Sequence, residues 1–341
     1  GIEVTTTAWL DRQEQNTSAA KAAYVQWMKE EAARKQTSEL AVMFDHPYKE
    51  PDCEIITIND IDVSETDTAV YVIARNSGEG ADRFDEEGDY RLYPHERGNI
   101  HLLAEVYDKL IVVLNIGGVM DLSEMRSIAG VNAILLMTQL GNLGGDALLD
   151  VLTGKVNPSG KLTVTIPKKL EDSPAHSIGE FPGKAQVRYD EGIFVGYRYF
   201  STYDVEPQFV FGHGLSYTEF RYNDIKVNLT EENEKINATV KFKVTNIGEK
   251  EGAEVAQVYV NDVESSVKRP VIELKGFEKV RLMPGESKEV TINLDKKSFA
   301  FYSDEENSWI VEDGKFNILI GSSSTDIRLE ESINIKSKYK F

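Results

Sequence analysis

The chain has a single cysteine, Cys53, among its 341 residues. One cysteine cannot form an intrachain disulfide, and it cannot build a cysteine cluster that holds a metal. Chains without disulfides are typical of reducing compartments, so a cytoplasmic location is favoured. Nothing else in the sequence indicates a metal or a cofactor, and we expect none.

Positive charge is also scarce, because 38 Lys and Arg residues face 57 Asp and Glu residues and leave a net charge of −19. Nucleic acids and anionic membrane surfaces require a basic face, so neither is expected as a partner. No apolar run approaches the ~18 residues of a membrane span. The hydrophobic fraction of 41% suffices for packed cores, and the length predicts two domains.

The first half of the chain alternates apolar strand patterns with helical patterns. Strands are predicted at residues 1–4, 69–75, 111–116, 133–138 and 162–166, and residues 40–44 are compatible with another. Helices are predicted at residues 18–35, 99–110, 121–129 and 145–153. This alternation indicates a mostly parallel sheet with helices on both faces. Gly117 and Gly118 follow a strand, but the Gly-x-Gly-x-x-Gly pattern of dinucleotide binding is absent.

The last third of the chain has a period of two, with turns at residues 246–248 and 283–286. Strands are predicted at residues 225–229, 238–244, 255–260, 290–294 and 316–320. Short strands without intervening helices predict a β-sandwich, and the lack of a cysteine pair favours the fibronectin type III kind. Residues 167–221 are irregular and rich in aromatics, which is typical of a functional or bridging segment. Within it, His213 is interpreted as a hydrogen-bonded structural residue.

One carboxylate stands between two glycines, in the sequence SGEG at residues 77–80. It follows the predicted strand 69–75, and ligands of parallel sheets bind beyond the carboxyl ends of the strands. Glycine tolerates backbone angles that other residues avoid, so such a loop can present Glu79 to a cleft. The alternative is a solvated glutamate on a surface turn.

Four motifs together resemble glycoside hydrolase family 3, chiefly its β-glucosidases. They are RNSGEG at residues 75–80, DVLTGKVNPSGKL at 150–162, YDEGIFVGYRYF at 189–200 and FGHGLSYTEF at 211–220. The resemblance implies an α/β sandwich domain at residues 1–200, a linker at 201–221 and a fibronectin type III-like β-sandwich at 222–341. The first strand of the α/β domain is then expected to lie before Gly1.

The resemblance also implies a role for Glu79, the general acid/base of a retaining glycosidase. Members of the family carry their nucleophile, an aspartate, in a (β/α)8 barrel. The chain has neither eight βα repeats nor the family's SDW nucleophile motif, so a barrel-containing segment or companion chain is implied as a partner. The implied substrate is a β-linked oligosaccharide or glucoside that loses its terminal glucose.

The chain departs from the family pattern at residues 140–145, where LGNLGG replaces the usual PGQEGG. Leu143 thus stands in place of a glutamate, and we expect this departure to affect domain contacts rather than the chemistry. A β-xylosidase or another exo-β-glycosidase is the alternative within the class. A non-catalytic carbohydrate-binding or scaffold module is the alternative outside it, and a homo-oligomer is left open.

Overall fold

The computed structural model describes residues 3–51, 53–62, 65–75, 84–179, 186–232 and 235–341. Two compact units divide the chain, Gly1–Leu140 and Gly141–Phe341. Residues 1 and 2 of the strand predicted at 1–4 lie outside the described residues, and Glu3 and Val4 form no regular element.

Three helices open the first unit. They are α1 (Thr7–Lys35), α2 (Glu39–Asp45) and α3 (Ile58–Asp62). The predicted helix 18–35 is confirmed, although α1 begins earlier, at Thr7. The strand considered for residues 40–44 is wrong, because the Ser38 side chain accepts a hydrogen bond from the Ala41 amide at 3.1 Å and caps a helix there.

A three-stranded parallel sheet forms the rest of the first unit, with the strands in sequence order. The elements are β1 (Thr68–Arg75), α4 (Pro94–Val106), β2 (Lys109–Ile116), α5 (Ser123–Ser127) and β3 (Val131–Leu136). The parallel α/β architecture is therefore confirmed. The helix predicted at 99–110 lies earlier in the chain, because Pro94 and the capping carboxylate of Glu96 begin it and Leu110 pairs with Ala69 in the sheet.

Strand β1 is buried on one face and exposed on the other. Tyr71 and Ile73 are buried, whereas the side chains of Val70 and Val72 are 46% and 51% exposed. Within the part of the chain that the structure describes, the face of β1 that carries Val70 and Val72 is therefore partly open to solvent. An apolar run does not by itself distinguish a strand covered on both faces from one covered on one face.

The second unit begins with helix α6 (Gly144–Leu152), the short helices α7 (Pro174–Ser177) and α8 (Tyr197–Thr202), and a 3-10 turn at Leu170–Asp172. The strand predicted at 162–166 is wrong. Only Ile166 forms a bridge, antiparallel to Phe209, and Leu162 exchanges backbone hydrogen bonds of 2.8 Å with His213 and Gly212. This segment pairs with the FGHG motif and adds no parallel strand.

Antiparallel strands complete the second unit and confirm the β-sandwich. They are β4 (Phe220–Glu232), β5 (Lys235–Asn246), β6 (Gly252–Asp262), β7 (Glu273–Leu282), β8 (Ser287–Asp295), β9 (Phe301–Ser303), β10 (Ser308–Val311), β11 (Gly314–Gly321), β12 (Ile327–Ile335) and β13 (Tyr339–Lys340). The sheets have the orders β4-β5-β8, β12-β11-β6-β7 and β13-β10-β9. The five predicted strands lie inside β4, β5, β6, β8 and β11, and their inward residues form one core around Phe242, Val258 and Phe316.

Candidate active site at the carboxyl edge of the parallel sheet

The site begins where β1 ends, at Arg75. Arg75 pairs in register with Ile116 at the end of β2, so both strands finish at the same edge of the sheet. Loops at this edge of a parallel sheet form the crevice in which α/β proteins bind their ligands. Glu79, the predicted acid/base, follows four residues after Arg75 and lies outside the described residues, as do all of residues 76–83.

The segments that follow all three strands are tied together at this edge. After β3, the side chain of Gln139 donates a hydrogen bond of 3.3 Å to the carbonyl oxygen of Arg75. After β2, the amide of Asp121 donates one of 2.8 Å to the carbonyl oxygen of Tyr90. Tyr90 belongs to the turn 84–91, which directly follows residues 76–83, here named the Glu79 segment. The described residues on either side of that segment are therefore held in fixed positions.

The turn 84–91 is itself ordered by polar contacts. The Asp89 carboxylate accepts a hydrogen bond of 2.7 Å from the Phe84 amide, the first described residue after the Glu79 segment. The Asp85 carboxylate receives two N–H groups of Arg91, at 2.6 and 2.9 Å. Gly88 has a φ of +84°, and its amide donates to the carbonyl oxygen of Arg91 at 3.0 Å. A left-handed residue at this position favours glycine.

Beneath the turn lies an ion pair that the sequence analysis missed. Arg75 and Glu96 are only 7% and 6% exposed, and two N–H groups of the guanidinium reach the two carboxylate oxygens at 2.7 and 2.6 Å. Glu96 also accepts a hydrogen bond of 2.9 Å from the Tyr93 amide at the start of α4. The sequence carried a signal for this role, because proline followed two residues later by glutamate is typical of a helix N-terminus.

A second buried contact continues from Glu96 along α4. Asn99 is fully buried, accepts a hydrogen bond of 2.9 Å from the Ile56 amide and donates one of 3.2 Å to the Tyr71 hydroxyl. Burial raises the pKa of the Tyr71 hydroxyl well above its ordinary value, so it stays protonated. These contacts join α4, β1 and the segment before α3 below the site.

The other sequence motifs lie in the second unit and have structural contacts. The ring of His213 packs against Phe209 with 5.3 Å between ring centroids, and its backbone carbonyl receives the Leu162 amide. In the DVLTGKVNPSGKL motif, Asn157 accepts hydrogen bonds from the Ser216 hydroxyl at 3.0 Å and the Tyr217 amide at 2.8 Å. Leu143, which departs from the family pattern, is 74% exposed.

The ranges that the structure describes contain neither a metal cluster nor a membrane-spanning helix. No group of three or more His, Cys, Asp and Glu side chains there could hold a metal ion. No helix there is long and apolar enough to cross a membrane.

Comparison with known proteins agrees with the motifs. The family model of the glycosyl hydrolase family 3 C-terminal domain matches residues 12–197, and that of the fibronectin type III-like domain matches residues 254–324. The thermostable beta-glucosidase B of Acetivibrio thermocellus is 47% identical over 264 residues, which are 76% of this chain and 34% of that protein. An exo-alpha-(1->6)-L-arabinopyranosidase of Bifidobacterium breve is 44% identical over 66% of this chain and 29% of that protein.

A solved β-glucosidase structure also resembles this chain. The beta-glucosidase 3B of Thermotoga neapolitana, in complex with glucose, superposes with a TM-score of 0.79 at 36% identity, over 87% of this chain and 42% of that chain. The chain thus spans about a third of the length of these two curated relatives, which are 34% and 29% covered. Because the C-terminal domain model matches more than half of the chain, the chain belongs to glycosyl hydrolase family 3.

Proposed function

We propose that this chain is part of a retaining exo-β-glycosidase, a β-glucosidase, and that it supplies the general acid/base Glu79. The observation that carries the proposal is that β1 ends with Arg75 at the carboxyl edge of the sheet, directly before the NSGEG sequence. Family membership and the beta-glucosidase names of relatives support the reaction class. The nucleophile comes from a barrel-containing segment outside these residues, in keeping with the greater length of the relatives.

The proposed reaction needs two carboxyl groups about 5–5.5 Å apart. The nucleophile carboxylate attacks the anomeric carbon and forms a glycosyl ester, while Glu79 gives its proton to the departing glycosidic oxygen as the bond to carbon breaks. Glu79, now a carboxylate, takes a proton from water. That water oxygen attacks the anomeric carbon, releases the sugar and regenerates the nucleophile. A raised pKa would keep Glu79 protonated for the first step, through burial and the charge of the nucleophile.

The first test is Glu79→Ala in the complete enzyme. Removing the acid should slow hydrolysis of cellobiose, whose leaving group needs protonation, by about 10²- to 10⁴-fold. Hydrolysis of 2,4-dinitrophenyl β-glucoside should lose much less in its first step, because this leaving group departs without a proton. Azide should restore turnover of the aryl substrate and yield the glucosyl azide.

The matched control for this test is Glu86→Ala, which removes an exposed glutamate from the following turn. It should leave both rates near those of the parent enzyme. An equal loss on both substrates for Glu79→Ala, without rescue by azide, would contradict the acid/base role. Unchanged rates in Glu79→Ala would favour the non-catalytic scaffold alternative for this chain.

A second candidate substrate follows from the arabinopyranosidase names among the relatives. A panel of 4-nitrophenyl glycosides separates the candidates: β-D-glucopyranoside, β-D-xylopyranoside and α-L-arabinopyranoside. The proposal predicts the highest kcat/KM for the glucoside. A higher value for the arabinopyranoside would reassign the substrate, without changing the role proposed for Glu79.

A further inference from the structure

Arg75 uses every N–H group of its guanidinium, which has five donors in a rigid fork. Two go to the carboxylate of Glu96, at 2.7 and 2.6 Å. The other three go to backbone carbonyl oxygens, those of Ala74 at 2.9 Å, Asp89 at 3.2 Å and Arg91 at 3.2 Å. The face of the guanidinium also lies 5.5 Å from the ring centroid of Tyr93.

These partners belong to three different parts of the site. Ala74 lies in β1, two residues before the Glu79 segment at 76–83, and Asp89 and Arg91 lie in the turn 84–91 that follows this segment in the chain. Glu96 lies in the first turn of α4. The Arg75 side chain thus connects the end of β1, the turn 84–91 and the first turn of α4.

Stability alone is a weak explanation for this arrangement. Removing two charges from water is expensive, and well-packed apolar side chains of similar volume often serve a fold as well or better. What an apolar pair cannot do is hold carbonyl oxygens on two sides of a loop at fixed angles. The guanidinium fork can, because its geometry is planar and preset.

We propose that Arg75, oriented by Glu96, is a positioning residue: it holds the strand end before the Glu79 segment and the turn after it in register, and proton transfer by the acid/base depends on this. This inference rests on the proposed function of Glu79. Neither side chain needs to touch the substrate. A misplacement of about 1 Å at a catalytic group can cost on the order of 100-fold in rate. That loss falls on proton transfer, so it should grow as the leaving group becomes poorer.

The sandwich offers a matched control in Arg269, whose guanidinium is also buried. It donates to Asp262 at 3.0 Å and Glu273 at 2.8 Å, and to the carbonyl oxygens of Phe299 and Ala300 at 3.0 and 3.3 Å. Arg→Lys at either position keeps the charge and removes the fork. Both variants therefore lose the stability that a buried guanidinium provides. Only Arg75→Lys is expected to affect proton transfer by Glu79 as well.

The experiment compares Arg75→Lys and Arg269→Lys in the complete enzyme, with Glu79→Ala measured in parallel. The readout is the ratio of kcat/KM on 2,4-dinitrophenyl β-glucoside to kcat/KM on cellobiose. Arg75→Lys should raise this ratio by roughly 10- to 100-fold, through kcat rather than KM on cellobiose. Arg269→Lys should leave the ratio unchanged. Equal losses on both substrates for Arg75→Lys would overturn the positioning role.

Glu96→Gln keeps the test decisive if Arg75→Lys fails to fold. The glutamine oxygen still accepts the Tyr93 amide and caps α4, but the charge that orients the guanidinium is lost. Glu96→Gln should also raise the ratio of kcat/KM on 2,4-dinitrophenyl β-glucoside to kcat/KM on cellobiose. An unchanged ratio in a folded Glu96→Gln enzyme would overturn the inference. If Glu79→Ala itself loses both substrates equally, the proposed function fails first and the assignment of Arg75 fails with it.

Discussion

At the scale of single residues, Cys53 offers a direct probe of the first unit. Burial, together with the negative charges of Glu96 and Glu54, raises the pKa of its thiol to about 11. Thiols react as thiolates, so at pH 8 native Cys53 should react with iodoacetamide roughly 200-fold more slowly than an unfolded thiol of ordinary pKa.

The rate of alkylation, followed by mass spectrometry with and without denaturant, checks this prediction. A native rate within about threefold of the unfolded rate would contradict the protected environment, since the thiolate fraction sets the rate. As the chain has one cysteine, the labelled position is unambiguous.

Glu79 and Arg75 differ in how far their roles could be predicted from the sequence. A glutamate between glycines after a strand points to a cleft, because both signals are local. The role of Arg75 depends on Asp89, Arg91 and Glu96, which lie 14, 16 and 21 residues further along the chain. Nothing in the local pattern distinguishes an arginine that is buried by such partners from one that is solvated at a strand end.

At the scale of elements, Arg12 attaches helix α1 to the segment before α3 and to α3 itself. Its guanidinium donates to Glu54 at 2.9 Å and to Asp60 at 2.7 Å. Burial opposes ionisation of Asp60, but Arg12 and two groups of Thr57 outweigh it and hold the Asp60 pKa below its ordinary value. Hydrogen bonds from Arg12 and Asn16 likewise lower the pKa of Glu54.

The sign of the pH effect follows from the lowered pKa values. A carboxylate with a lower pKa in the folded state stabilises the fold above its unfolded pKa, near 4, and this contribution is lost as the pH falls through the folded value. The first unit should therefore lose stability as the pH falls below about 4, and Asp60→Asn should lessen that loss. Urea midpoints at pH 7, 4 and 3 measure it. Glu14→Gln, on the exposed side of α1, serves as control, and an equal effect in both variants would contradict the role of Asp60.

Gly212, in the FGHG motif, has a backbone conformation and close neighbours that both favour glycine. Its φ is +82°, and a β-carbon there would lie 2.6 Å from the Gln257 side chain and 2.9 Å from the backbone of Ser323. Gly212→Ala should lower the free energy of unfolding of the second unit by about 3 kcal/mol, from backbone strain and overpacking together. Gly285→Ala has a similar φ of +76° and open space around it, so it should cost only about 1 kcal/mol.

Denaturant unfolding followed by tryptophan fluorescence compares the two glycine variants. Equal destabilisation would mean that backbone strain alone, and not the close packing of the motif on the sandwich, requires glycine at position 212.

The predicted elements were most accurate where the pattern was long and least accurate at boundaries. Strands β1 and β2 and the five sandwich strands follow from sustained apolar periodicity. The residues 40–44 and 162–166 have equally apolar patterns, but a capping serine directs the first into a helix and the FGHG motif pairs with the second. A local cap thus decides the first segment, and a partner distant in sequence outweighs local propensity in the second.

At the scale of the whole molecule, the α/β unit followed by a β-sandwich could be predicted because the period of the pattern changes near residue 222. The domain limits 1–200, 201–221 and 222–341 stay a prediction. The proposal that the nucleophile lies outside these residues rests on the family resemblance alone, since no local pattern in the sequence bears on it.

The most direct test of the account is hydrolysis of 4-nitrophenyl β-glucoside by three preparations: residues 1–341 alone, the same residues joined to the barrel-containing segment, and the joined protein with Glu79→Ala. We expect no hydrolysis by residues 1–341 alone, full activity in the joined protein, and a reduced rate in the variant that azide restores. Hydrolysis by residues 1–341 alone would contradict the account, because both carboxyl groups would then lie within this chain.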